Sequence, residues 1–146
     1  MAGGAGSTTE RRGQARKLIQ HMLDERRQLL GLMLEVSSRK PNPPDPDLLD
    51  EFSQMLVDYI AAGHFGLYQR IVEGKERRRK VQDLAVDVYS RIGETTRSAL
   101  DFNEKYESGK RRPSADIFYA DLSSLGEILT ARIEFEDQLI RTLIEG

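Results

Sequence analysis

Residues 48–72 read LLDEFSQMLVDYIAAGHFGLYQRIV. Leu48, Phe52, Met55, Leu56, Tyr59, Ile60, Gly63, Leu67 and Ile71 recur at spacings of three and four, which is one face of a helix of period 3.6. A second set, Ala61, Phe65, Tyr68 and Val72, falls roughly opposite, with Asp58 beside it and Ala62 at its margin. A helix apolar on both sides is either central and buried, or it covers a core with one face and a partner with the other. Two readings of Phe65 follow. Its ring stands outward as a docking anchor, or Gly63 and Gly66 bend the helix and turn it inward.

Working outward, the helix starts at Asp47, expected as its N-cap, with Asp50 and Glu51 in the first turn, where acids favour the helix dipole. Before it, Arg39 to Pro46 (RKPNPPDP) cannot be helix, because proline lacks the amide donor and disfavours helix in the residue before it. Further breaks fall at Glu73-Gly74-Lys75 and Glu107 to Pro113. A first helix is expected from about Thr9 to Ser38, on a stripe of Ala15, Leu18, Ile19, Met22, Leu23, Leu29, Leu30, Met33 and Leu34. A third carries Val81, Leu84, Ala85, Val88, Tyr89, Ile92, Ala99, Leu100 and Tyr106. A fourth, capped by Ser114, carries Ile117, Phe118, Leu122, Leu125, Ile128, Leu129, Ile133, Leu139, Ile140 and Leu143. No segment sustains period-two alternation. The expected fold is all-α: an antiparallel four-helix bundle of long helices and short loops, one domain over residues 9–146 behind a flexible tail, residues 1–8.

Composition narrows the function. The 146 residues contain no cysteine, which removes disulfide scaffolds, zinc-thiolate sites and cysteine nucleophiles together. His21 and His64 are the only histidines, and no Glu-x-x-His pair of the di-iron bundles is present, so no metal and no cofactor is expected. Phosphate-binding glycine motifs and the Gly-x-Ser-x-Gly elbow are missing, and an enzyme is not expected. With no apolar segment of about 20 residues and no signal-peptide pattern, a cytoplasmic protein without a membrane span is expected. Lys, Arg, Asp and Glu make up 32% of the chain yet leave a net charge of −2, against a dedicated nucleic-acid binder. The basic run Lys75 to Lys80 reads as a solvated turn, the other reading being a nucleic-acid patch.

Two features remain. Arg132 and Glu136 are four residues apart inside the apolar stripe of the fourth helix, and buried charges need partners. They read as a structural ion pair, the other reading being a pair that shapes a pocket or partner surface. Between Asp47 and Gln69 stand Asp47, Asp50, Glu51 and Asp58 with no Lys or Arg, and Glu127, Glu134, Glu136 and Asp137 follow on the fourth helix. An acidic surface with aromatic anchors suits a basic protein partner. Its candidate residues are Asp50, Glu51, Asp58, Ala61, Ala62, Phe65 and Tyr68.

The block Val57-Asp58-Tyr59 and Ala62-Gly63-His64-Phe65, with Tyr68 after it, resembles the Rsd/AlgQ family of bacterial regulators of sigma D. Leu125-Gly126-Glu127-Ile128-Leu129, Ala131-Arg132 and Glu136-Asp137-Gln138-Leu139-Ile140 are similar to that family's last helix. A weaker likeness covers Lys17-Leu18-Ile19 to Arg26-Arg27-Gln28-Leu29-Leu30. The resemblance implies a helical bundle that binds the primary sigma factor of RNA polymerase and keeps it from core polymerase and promoter DNA. An alternative partner it implies is a (p)ppGpp synthetase/hydrolase. A monomer is expected. The third helix, with its Lys75–Lys80 run, carries no matching signature.

Overall fold

The computed structural model describes residues 3–72, 79–107 and 113–145. They form α1 (Gly3–Ser37), α2 (Pro46–Gly63), a π-helical turn (His64–Tyr68), α3 (Gln69–Val72), α4 (Arg79–Lys105) and α5 (Ala115–Glu145), with no strand among the described residues. The second helix of the sequence reading is thus α2, the π turn and α3 in succession. Helix α1 begins inside the expected tail. Residues 3–8 contain no proline, so a formed helix extends through them residue by residue.

Capping follows local chemistry, with one difference. The N-cap of α2 is Asp45, not Asp47: the Asp45 carboxylate accepts from the Asp47 amide at 3.1 Å, and Pro46 takes the first helical position. Proline suits that place because its fixed φ is helical and its missing amide would have had no partner there. Ser114 caps α5 as expected, accepting from the Ile117 amide at 3.4 Å.

Cross-helix contacts fix the order. Arg26 of α1 meets Tyr59 of α2, while Leu18, two turns earlier, meets Gly66 in the π turn. Phe52 of α2 packs on Phe102 of α4. Tyr106, just past the end of α4, packs on Phe118 of α5, and Arg91 of α4 on Phe135. Arg26 reaches Asp137 of α5, and Met33 lies near Gly126. In the α1–α2, α4–α5 and α1–α5 pairs one residue number rises as the other falls, so α2 and α5 run against α1, α4 runs against α5, and the four long helices close an antiparallel up-down-up-down ring.

Each long helix buries a seam at steps of three, four or seven: Ile19-Met22-Leu29-Val36, Leu49-Phe52-Leu56-Tyr59-Gly63, Val81-Ala85-Val88-Ile92-Ala99-Phe102 (continued by Tyr106 just past α4) and Phe118-Leu122-Leu125-Leu129. Leu30, Leu34, Tyr89, Leu100 and Ile117, expected in the stripes, are exposed. They stand on the shoulders of their helices, where a bundle leaves room for only one seam. Val36, Phe102 and Tyr119 fill the core in addition. At the α4–α5 end, burial pushes the Asp121 carboxyl up, but the Lys105 ammonium at 2.8 Å and the Tyr106 hydroxyl hold it below the usual carboxylate value.

Candidate partner-binding face and a buried ionic centre

Polar residues interrupt the apolar seams at one level of the bundle. Arg26 sits between Met22 and Leu29 on α1, Thr95 between Ile92 and Ala99 on α4, and Arg132 and Glu136 follow Leu129 on α5. Tyr59 joins them from α2. The expected Arg132–Glu136 pair is present and wholly enclosed: Arg132 is 1% exposed, Glu136 0%, and Arg132 Nε donates to Glu136 Oε2 at 3.1 Å.

The pair is part of a larger net. Arg26 Nη2 donates to Glu136 Oε1 at 3.1 Å and Arg26 Nη1 to Asp137 Oδ1 at 2.8 Å. The Tyr59 hydroxyl also donates to Glu136 Oε1. Arg132 Nη1 donates to the Thr95 and Thr96 hydroxyls at 3.2 and 2.6 Å. Both guanidiniums lie over the Tyr59 ring, 5.8 and 5.9 Å from its centre, where its negative face attracts a cation. Two arginines, Glu136 and Asp137 balance to zero charge, so burial leaves no unpaired ion. Burial raises the Tyr59 hydroxyl pKa above its ordinary value, and the Glu136 charge raises it further. For Arg26, burial opposes the charged form, but Tyr59, Asp137 and Glu136 outweigh it and raise its pKa.

Gly63 gives this net its floor. A Cβ there would stand 2.8 Å from Glu136 Oε2 and 3.3 Å from Arg132 Nη2. Gly66 similarly admits the α1 backbone, since its Cβ would meet the Leu18 carbonyl oxygen at 3.2 Å. From His64, just after Gly63, to Tyr68, with Gly66 inside it, the chain takes the π turn, which fits one extra residue into a turn. That extra residue decides the two-faced helix. Phe65, early in the turn, stays outside at 59% exposure and stacks edge-on to His64 at 5.0 Å. Tyr68, expected beside it on the outer face, is rotated into the core and is 4% exposed. Its assignment to the partner surface is therefore corrected. Burial raises its hydroxyl pKa, with Glu136 adding to the effect, and the hydroxyl has no hydrogen-bond partner.

The other face candidates lie as follows. Asp50 and Glu51 are exposed, and Asp58 and Ala61 are half-buried on the same side as Phe65. Asp58 Oδ1 accepts from Gln54 Nε2 at 3.0 Å, an exposed contact one turn away. Ala62 leans inward and packs partly on the core. His64 is exposed. Among the described residues, no group of three or more His, Cys, Asp or Glu is placed to hold a metal ion, and no helix is long and apolar enough to cross a membrane. The Lys75–Arg78 part of the basic run lies outside the described residues, and Arg79 and Lys80 at the start of α4 are exposed.

Arg26, Tyr59, Thr95 and Asp137 were not singled out from the sequence as parts of one centre. The signal was present: Arg26 interrupts the spacing of Ile19, Met22, Leu29, Met33 and Val36, as Arg132 and Glu136 interrupt theirs.

Fold and site together define a class: a helical bundle closed around a neutral ionic centre, with an acidic, aromatic strip left on the outside of one helix. The chain belongs to the family described as regulator of RNA polymerase sigma(70) subunit, Rsd/AlgQ, whose model matches residues 1–144. It is 33% identical over 147 residues to the regulator of sigma D of Yersinia enterocolitica, covering 96% of this chain and 88% of that protein. It is 32% identical over 144 residues to those of Salmonella newport and Salmonella typhimurium, covering 94% of this chain and 88% of each relative. No solved structure matches.

Proposed function

We propose that this chain is an anti-sigma regulator. It binds the primary sigma factor of bacterial RNA polymerase in the cytoplasm, as a monomer, and keeps it from core polymerase and promoter DNA. Family membership supports the partner, and the relatives, regulators of sigma D, agree. The observation that carries the site is Phe65, 59% exposed on a helix whose Pro46–Gly63 stretch contains four acids and no base. Asp50, Glu51, Asp58, Ala61 and Phe65 form the proposed strip, with Ala62 at its inner edge.

The chemistry is recognition. A large aromatic ring in water gains by desolvation against a partner. Carboxylates around it attract a basic surface and accept charge-assisted hydrogen bonds from its arginines. A sigma segment that otherwise meets DNA phosphates carries such a surface, and covering it blocks promoter contact. Nothing observed favours a (p)ppGpp synthetase/hydrolase as partner.

Calorimetric titration against sigma tests the reading, with Asp58→Ala as the deciding variant. Removing one member of an interfacial charge pair typically costs about 2–5 kcal/mol. Asp58 makes only an exposed contact to Gln54, so its loss leaves folding nearly unchanged. At least tenfold weaker binding with an unchanged melting temperature is expected. Parent-like binding moves the interface off this strip, and no binding by the parent chain overturns the sigma reading itself.

A further inference from the structure

Helices α2 and α4 part slightly near the end of the bundle that carries the N-terminus of α2. The gap is a cleft of about 130 Å³ lined by Asp50, Ser53, Gln54 and Val57 from α2, by Asn103 of α4, and by Tyr106 and Glu107 just past its end. At about 30 Å³ per water molecule it holds several waters or one planar side-chain head. Two oxygens of its lining, Ser53 Oγ and Asn103 Oδ1, are buried yet have no hydrogen-bond partner. A buried acceptor without a donor is unfavourable by about 1–3 kcal/mol, so the cleft wants a donor.

The charge of the lining says which donor. Asp50 is an exposed carboxylate there and no Lys or Arg is among the lining residues, while Glu107, also in the lining, is already engaged. Lys105, on the same helix as Asn103, is engaged with Asp121 of α5. The Tyr106 hydroxyl is likewise taken by Asp121, so Tyr106 offers the cleft its ring. The set is acceptors at several angles plus an aromatic surface. A guanidinium fits it: five N–H donors in a plane, a permanent charge, and flat faces that stack on rings.

We propose that this cleft is a socket for one arginine side chain of the protein partner. Its guanidinium hydrogen-bonds Asn103 Oδ1 and Ser53 Oγ, faces Asp50, and lies along Tyr106 and Val57. The inference rests on the sigma reading for the partner's identity and extends the interface from the outer strip of α2 across the seam to α4. Asp50 belongs to both the strip and the socket.

Two measurements separate the inference from the reading it rests on. The first titrates intact sigma against the parent chain, Asn103→Leu and Asp50→Asn. Asn103→Leu fills the cleft with an apolar group, and Asp50→Asn removes a charge at an exposed position without changing shape, which keeps the test valid if the leucine variant fails to fold. Each is expected to bind sigma at least fivefold more weakly, with a weaker dependence on salt. Parent-like affinity in the folded variants overturns the socket and leaves the sigma reading intact. The second needs no sigma. N-acetyl-arginine amide is titrated into the 15N-labelled parent chain, with the citrulline analogue as a neutral control of nearly the same shape. Saturable shifts confined to the amides around Ser53 and Asn103, given by the arginine compound alone, support the socket even if sigma itself fails to bind. Equal or absent shifts with both compounds overturn it.

Discussion

Glu136→Gln isolates the charge at the centre of the bundle while keeping its shape. The carboxylate accepts from Arg132 Nε and Arg26 Nη2, both at 3.1 Å, and from the Tyr59 hydroxyl, with its side chain fully enclosed. Glutamine keeps one acceptor oxygen and sets an NH2 donor against a guanidinium donor. Two charge-assisted bonds are lost or weakened, each worth roughly 1.5–3 kcal/mol. Arg132, 1% exposed, is left with the neutral Thr95 and Thr96 hydroxyls as its remaining hydrogen-bond partners. Arg26 is better placed, because Asp137 still pairs with it near the surface. Breaking a buried pair by removing one partner typically costs about 3–5 kcal/mol, and the bond count gives the same range. Urea unfolding at neutral pH is the assay. At about 2–4 °C per kcal/mol for a chain near this size, the melting temperature should fall by roughly 6–20 °C. Replacing Arg132 and Glu136 together by Met and Leu should destabilise less than Glu136→Gln alone, since neither variant side chain strands a charge. A loss below about 1 kcal/mol for Glu136→Gln, or a double variant worse than the single one, refutes the account of a mutually dependent centre.

Three further outcomes are expected. Gly63→Ala should lower stability by more than about 1 kcal/mol in the same urea assay: alanine is the better helix former by about that much, but its methyl would sit 2.8 Å from the pinned Glu136 Oε2. Phe65→Ala should weaken sigma binding at least tenfold in calorimetry while shifting stability by less than about 1 kcal/mol, because the ring is mostly in water. Stability should fall as pH rises above about 10, since the unfolded chain then releases tyrosine protons that burial keeps on Tyr59, Tyr68 and Tyr106 in the folded state. Tyr68→Phe should flatten that decline, measured by urea midpoints across the alkaline range, at little loss near pH 7, as its hydroxyl has no partner to lose.

The fold was legible because each long segment repeats apolar residues at spacings of three and four, and a helical ring has one seam per helix. The shoulders were not: Leu34 and Tyr89 differ from Leu29 and Val88 by a fraction of a turn, which only the placement of neighbouring helices resolves. The Arg132–Glu136 pair could be read because both partners lie on one helix. Its extension through Arg26, Tyr59 and Thr95 joins residues more than 30 positions apart, and seam spacing marks such residues as inward without saying which of them share a level. Tyr68 was misplaced because counting at 100° per residue assumes an unbroken α-helix, and the π turn at His64–Tyr68 breaks that count.

The same turn explains how one short helix serves two purposes. Up to Gly63, α2 presents Leu56, Tyr59 and Gly63 to the ionic centre and Asp58 and Ala61 to the outside, as a regular helix would. Continued regularly, residues 65 and 68 would lie three apart on one side, and both rings would face the same way. The wider turn lets Phe65 remain in line with Asp58 and Ala61 while Tyr68 swings beneath it against the centre. Phe65 therefore stays in solvent while Gly63 lies against Glu136, Arg132 and Met22, Gly66 lies against Leu18 of α1, and Tyr68 is buried. A π turn is a local distortion that usually persists where surrounding contacts over-determine it. Here those contacts are the close approach of α1 at Gly66 and the ionic net at Gly63. The buried charges thus do more than hold four helices in register: with the two glycines, they fix the turn that keeps Phe65 pointing at solvent. Loosening the centre should consequently weaken binding at the strip in variants that remain folded, and Gly63→Ala, buried beneath the strip and not part of it, is the variant in which both losses should appear together.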